Sequence, residues 1–143
     1  MKLSRTVAYA LQATLQLADA DSSVPVPCSK LAAEGGMPER FLLQILRNLV
    51  THGILHSTRG VEGGYSLERS PSEISLLELI EAVDGPVHSQ PPTTEGLPAE
   101  SLAHLSVAME EVTNTTRKQL QDIKLSHLQT RSKTRRVEGA GAN

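Results

Sequence analysis

Along residues 38–67, PERFLLQILRNLVTHGILHSTRGVEGGYSL, the apolar positions change rhythm once, from a helical repeat to the alternation of a hairpin. Leu42, Ile45, Leu46, Leu49 and Val50 share one broad helical face, while Arg40, Gln44, Arg47 and Asn48 lie around the rest of the helix with polar side chains free to reach outward. Gly53 stops this helix. Residues 54–59 alternate apolar and polar well enough to predict a strand, and residues 65–67 predict its return. Between them Gly60, Gly63 and Gly64 predict a tip whose backbone takes positive φ.

Upstream, residues 3–18 predict a first helix with Val7, Ala8, Leu11, Leu15 and Ala18 as its buried stripe. Residues 19–27 are punctuated by Asp, Ser and Pro and predict a loop. Residues 29–34 predict a short helix that turns Leu31 and Ala32 inward and ends at Gly35-Gly36, after which Pro38 opens the next helix. Two helices, a short glycine-containing turn and then a small hairpin make the layout of a winged helix-turn-helix. Downstream, residues 70–74 read as a connector, and Ser75 with Glu78 forms a capping box ahead of Leu76, Leu77, Leu79, Ile80 and Val83, which Gly85-Pro86 terminates. Residues 86–98 are proline-rich, polar and without period, a loop expected to be poorly ordered. Residues 99–128 predict one long helix with a seam of Leu102, Leu105, Met109, Val112, Thr116, Leu120 and Ile123, near a heptad with a slip at Leu120. Such a helix is too long to hide its seam against the preceding domain, so a counterpart in a second subunit is expected to cover it; the alternative is that it folds back on its own domain.

The chain therefore divides into a winged helix-turn-helix over residues 1–85, a proline-rich loop over 86–98, a dimerisation helix over 99–129 and a disordered basic tail over 130–143. The fold class is mainly α with a small β-hairpin wing. Composition agrees: one Phe, two Tyr and no Trp leave a core of Leu, Ile, Val and Ala. The net charge is −2, yet residues 1–69 carry seven Lys or Arg against six Asp or Glu, and residues 70–143 carry seven against ten. Charge alone thus gives no support to nucleic-acid binding, which depends on the few cations that meet the phosphates. The single cysteine, Cys28, excludes an intramolecular disulfide and a cysteine-rich metal cage within one chain. The amphipathic start does not read as a signal peptide, and no stretch is apolar enough to span a membrane, so a cytoplasmic protein is expected. Serines, histidines and carboxylates are scattered, with no base set beside a partner, which argues against an enzyme.

Arg40, Gln44, Arg47 and Asn48 are the candidate base readers, because Arg pairs with guanine O6 and N7 while Gln and Asn pair with adenine N6 and N7. Arg59 at the wing base has two readings, a contact to the minor groove or phosphates and a salt bridge to Glu62. Arg5 and Thr6 at the first helix's start, and Ser29 and Lys30 at the second's, are candidate phosphate contacts. Glu62 at the wing tip tempers affinity, and His52 and His56 flank the turn after the recognition helix as optional phosphate contacts. Gly60, Gly63 and Gly64 are structural, and Tyr65 is expected to point inward rather than stack on sugar. Cys28 is either a thiol without a role or a redox- or metal-sensing group shared across two subunits.

These pieces stand in the order and at the spacing of one family. Tyr9-Ala10-Leu11 in the first helix, Phe41-Leu42-Leu43-Gln44-Ile45-Leu46 followed by Leu49, Ser57-Thr58-Arg59-Gly60 with Gly63-Gly64-Tyr65-Ser66-Leu67, and Ile74-Ser75-Leu76-Leu77-Glu78 through Glu81-Ala82-Val83-Asp84-Gly85 carry the likeness. Over residues 2–86 the chain resembles the Rrf-type bacterial winged-helix regulators, the group of the iron–sulfur cluster assembly regulator, the nitric-oxide-sensitive repressor and the cysteine-metabolism repressor. The resemblance implies a homodimer crossed by long C-terminal helices and bound to double-stranded DNA at a pseudo-palindromic operator, as a repressor rather than an activator. The seam itself makes Leu102, Leu105, Met109, Val112, Leu120 and Ile123 the expected dimer contacts. Cluster-binding members carry three cysteines in the loop before the long helix, whereas residues 87–107 have none. His88, Glu95 and His104 are the candidate metal-binding side chains around that loop, and without a thiolate among them the chain resembles a clusterless branch with no cofactor and no metal site. An effector, small molecule or protein, is expected near residues 86–98, if there is one. The rival readings are a winged-helix adaptor with little DNA affinity and a thiol- or metal-responsive sensor using Cys28.

Overall fold

A computed structural model describes residues 1–20, 23–90 and 95–130. The first helix, α1 (Arg5–Asp19), starts at Ser4, whose hydroxyl accepts the Val7 N–H at 3.1 Å. A second, α2 (Cys28–Gly35), ends on Gly36 at φ 64°, and the turn through buried Met37 leads into α3 (Glu39–Thr51). Gly53, at φ 75°, releases the chain into strand β1 (Leu55–Thr58), which pairs antiparallel with β2 (Gly64–Leu67) from Leu55↔Leu67 to Thr58↔Gly64. The loop before α2 adds a third partner, because Val26 and Tyr65 exchange both backbone hydrogen bonds at 2.9 and 2.8 Å. A 3₁₀ turn (Pro71–Glu73) precedes α4 (Leu76–Asp84), whose capping box is complete: Ser75 N–H donates to Glu78 at 2.9 Å and Glu78 N–H donates to the Ser75 hydroxyl at 3.1 Å. Two further helices, α5 (Ala99–Asp122) and α6 (Leu125–Leu128), complete the described chain.

The main core joins Leu42, Ile45, Leu46 and Leu49 of α3 to Leu31, Ile54, Leu55, Ile74 and Leu79. A second cluster, Val7, Leu76, Leu77, Ile80 and Leu120, fills the space between α1, α4 and α5. The recognition-helix face matches its prediction, with Val50 half-buried at its margin. The α1 stripe does not. Val7, Ala10, Ala13, Thr14 and Leu17 are buried, Ala8 is exposed, and Leu11, Leu15 and Ala18 are half-buried. The small side chains at 10 and 13 let α1 pack closely, and Thr14 is accommodated because its hydroxyl donates to the Ala10 and Leu11 carbonyls at 3.0 and 2.9 Å. The alternation expected over residues 54–59 is also absent: Ile54 and Leu55 are both buried, and from His56 onward β1 is exposed on both faces as the hairpin leaves the core.

The long helix is shorter than expected, and the last part of its seam folds back on its own domain. It ends at Asp122, and the next residues cross Ser75 in an extended bridge: Leu76 N–H donates to the Ile123 carbonyl and Leu125 N–H to the Ile74 carbonyl, each at 2.8 Å. Leu125, 1% exposed, then enters the main core, which outweighs another helical turn. The slip at Leu120 marks where the helix passes onto its own domain, since Leu120 and Ile123 pack with the second cluster. Leu102, Leu105 and Met109 remain half-buried, and Val112 is 57% exposed.

The loop after α4 is fastened in its described part. The Arg117 guanidinium grips the Glu81 carboxylate through both nitrogens, at 2.5 and 3.2 Å, and Val87 N–H donates to the same carboxylate at 2.9 Å. That Arg117 bond, with the Val87 N–H, holds the Glu81 carboxyl below the usual carboxylate range against its partial burial. The Ser89 hydroxyl pairs with Thr113 on α5. Residues 91–94 of the loop and 131–143 of the expected disordered tail lie outside the described residues.

Leu125→Ala should lower the unfolding free energy by about 2–5 kcal/mol, the range for deleting a fully buried leucine side chain. Denaturant titration of the full chain checks this, and a loss below 1 kcal/mol, on the order of a surface substitution, would remove Leu125 from the core.

Candidate nucleic-acid interface

With its apolar face held inward, α3 must present the opposite face to solvent. Arg40, Gln44 and Arg47 are exposed there and Asn48 is half-buried. Gln44 Nε2 donates to Asn48 Oδ1 at 3.3 Å, one helical turn along, which orders two amides side by side. Arg40 and Arg47 form no ion pair among the described residues, so both guanidiniums keep their donors. His52 engages the Asn48 carbonyl through Nδ1 at 2.8 Å, and His56 lies 3.2 Å from a Glu68 carboxylate oxygen.

The wing follows α3, with β1 packed against that helix. Arg59 is exposed, and its alternative partner Glu62 does not pair with it. Gly60 turns the tip at φ 111°, and Gly63 N–H closes onto its carbonyl at 3.0 Å. Positive φ, expected at all three tip glycines, is absent at Gly63, which with Gly64 serves by its lack of bulk. A side chain on Gly63 would lie 2.9 Å from the Gly60 oxygen, and one on Gly64 2.5 Å from the Val26 oxygen and 2.7 Å from the Pro27 nitrogen. Tyr65 points inward as expected, half-buried against the main core.

The remaining candidates are held less openly. Ser29 and Lys30 are exposed in the first turn of α2, with Lys30 4.0 Å from Glu34 in a pair too solvated to hold it. Arg5 is exposed and Thr6 half-buried, but the start of α1 already has a carboxylate: Ser4 Oγ donates to Asp84 at 2.7 Å. That contact spans 80 residues of sequence and was invisible to spacing. So was Arg69, which donates to the Glu78 carboxylate at 2.7 Å, the Glu73 carbonyl at 3.0 Å and the Gly53 carbonyl at 3.5 Å. It ties the root of the wing to the end of α3 and the start of α4. Partial burial pushes the Glu78 carboxyl up, and the Ser75 N–H and Arg69 outweigh it and hold it low.

Cys28 lies at the start of α2 with Sγ 3.7 Å from the Glu39 carbonyl oxygen. Burial, and then the Glu39 carboxylate, push its thiol above the ordinary range, which disfavours the thiolate that ligates metals or reacts with oxidants. The described residues contain no group of three or more His, Cys, Asp or Glu able to hold a metal ion. No helix among them is long and apolar enough to cross a membrane.

The sequence profile of the Rrf2 family, described as iron-dependent transcriptional regulators, matches residues 3–131. A protein of Mycobacterium tuberculosis strain H37Rv, described as a candidate HTH-type transcriptional regulator, is 44% identical over 89 residues, covering 62% of this chain and 55% of its own length. The transcriptional regulator IscR of Escherichia coli O139:H28 is 34% identical over 84 residues, covering 59% and 52%. This chain therefore spans little more than half the length of those relatives. Among solved structures, the global cysteine regulator CymR of B. subtilis superposes with a TM-score of 0.70 at 23% identity, over 90% of this chain and 95% of that one. The IscR of T. potens superposes at 0.66 with 26% identity, over 90% and 85%.

Proposed function

The chain belongs to the Rrf2 family of DNA-binding transcriptional regulators, and from that premise we propose that it is a homodimeric repressor of a pseudo-palindromic operator, acting in the cytoplasm without an iron–sulfur cluster. It is not an enzyme. The observation that carries the proposal is the outward row of Arg40, Gln44, Arg47 and Asn48, with both guanidiniums unpaired and the two amides joined to each other. In this reading the arginines take guanine edges and the amides adenine edges. Arg59 takes the phosphates or minor groove beside the wing, with Ser29, Lys30, Arg5 and Thr6 as backbone contacts that fix register. The Ser4–Asp84 contact makes the α1 start the weakest of these.

The homodimer rests on Leu102, Leu105 and Met109, which the fold leaves half-buried, and on exposed Val112. Leu120 and Ile123, expected to share that interface, are occupied within their own chain. A two-fold dimer sets its recognition helices about 34 Å apart, one turn of B-DNA, and represses by occluding a promoter.

The family description implies iron, and the donor set does not fit a cluster. Iron–sulfur clusters are held by thiolates. The loop over residues 87–107 has none, and the one cysteine in the chain is a disfavoured thiolate at the start of α2. The effector, small molecule or protein, stays unassigned.

Three measurements test this reading. Genomic fragments recovered by the purified protein across a salt series should be enriched in an inverted repeat with half-sites one turn apart, and Arg47→Ala should weaken that operator by about 5- to 100-fold, the range for losing a bidentate base contact, while affecting random DNA less. Diffuse binding lost by physiological salt would favour the adaptor reading instead. Met109→Glu, at a seam position outside both core clusters, should convert a dimer to a monomer in sedimentation, and an undiminished dimer would overturn the α5 interface. The protein should purify colourless and fail to take up ferrous iron and sulfide in stoichiometric amounts; a reconstituted visible chromophore would restore the cluster.

A further inference from the structure

The wing tip carries apolar surface that base readout by α3 leaves unused. Between Arg5 and Asp84 the described residues expose three large apolar side chains, Val24, Phe41 and Val61. Two of them, Val24 and Val61, border one groove of about 470 Å³ with Pro25, Pro27, Lys30 and Glu62. Val61 is wholly bare, at 106% exposure.

It cannot withdraw. The Gly63–Gly60 hydrogen bond closes the tip, Gly64 lies against the Val26 and Pro27 backbone, and the Val26–Tyr65 pair bonds the wing to the loop that carries Val24. A lone exposed valine is ordinary. Two on the rim of one fixed groove, which Lys30 and Glu62 also line and which Arg59 precedes by two residues in sequence, form a surface suited to shape-selective contact with a polyanion.

We propose that Val61 is a specificity-determining residue of the wing, selecting A·T over G·C pairs where the tip meets the minor groove. The inference rests on the operator binding proposed above. In the minor groove A·T pairs present only the acceptors N3 and O2, whereas G·C adds the guanine N2 amine, a donor that stands up from the floor. The valine methyl groups pack against sugar walls and adenine C2–H where the floor is flat. Over guanine they cover the amine and offer no acceptor. Arg59 supplies attraction to the negative potential of a narrow A·T groove. Exposed Glu62 repels phosphates, so the tip discriminates by shape rather than by added charge.

The test binds wild-type protein to its selected operator and to duplexes in which wing-proximal A·T pairs become G·C or inosine·cytosine. Inosine keeps the major-groove acceptors of guanine and lacks the minor-groove amine. G·C should weaken binding about tenfold, and inosine·cytosine should restore it to within about twofold. Val61→Thr keeps the side-chain volume and adds an acceptor, so it should reduce the G·C penalty to about twofold. Equal penalties for G·C and inosine·cytosine, a penalty unchanged by Val61→Thr, or an operator with no A·T preference at those positions would overturn the role of Val61 alone. Absence of any sequence-specific binding by the wild type would overturn the operator reading and this inference together.

Discussion

The buried face of α3 is the constraint on which the remaining structure depends. Leu42, Ile45, Leu46 and Leu49 are all but inaccessible, and α1, α2, α4 and the returning Leu125 close around them. Burying four such side chains contributes several kcal/mol, so α3 cannot rotate about its axis without exposing them. The same restriction fixes which side chains face outward. Arg40, Gln44 and Arg47 face solvent because the opposite side of the helix has no other place to be. Base readers need such rigid placement, since a pair of directional hydrogen bonds to a base edge tolerates little rotation.

The wing depends on a different restriction, the absence of side-chain bulk. Gly64 allows the β2 backbone to touch Val26 and Pro27, and the two Val26–Tyr65 hydrogen bonds then tie the two-stranded hairpin to the loop before α2. A two-stranded hairpin alone is marginal in water. Arg69 secures the other end of the wing by reaching Gly53, just past α3, and the capping box of α4 in one side chain. The wing is therefore held at its root and at its flank, and only its tip projects.

What sequence could show divides along the distance over which each interaction acts. The α3 face, the Ser75–Glu78 capping box and the glycines after α2 and α3 were legible, because each is decided within a few residues. The α1 stripe was misread since that helix is apolar on more than one side, and which side is buried depends on close approach at Ala10 and Ala13 rather than on side-chain size. The end of α5 was illegible for a third reason. Helical period continues past Asp122, but two backbone hydrogen bonds to residues near position 75 and a vacancy filled by Leu125 exist only once the domain has folded. Among the candidate interface residues, the types and helical face could be read, whereas the unpaired state of Arg59 and the Ser4–Asp84 contact are tertiary facts.

The nine-residue helix α4 then acquires a role larger than its length suggests. Its acidic residues Glu78, Glu81 and Asp84 stand three apart, and each is tied to a different element: Glu78 to Arg69 at the wing root, Glu81 to Arg117 on α5, and Asp84 to Ser4 at the start of α1. Solvated pairs of this kind contribute little stability individually. Their value lies in direction, because a bidentate guanidinium–carboxylate pair fixes the orientation of both partners. The seam begins on the same helix that Arg117 anchors, so in a dimer the wing root and the subunit interface are referred to one short element. Three carboxylates on α4 thereby fix the wing root, α5 and the start of α1 relative to one another.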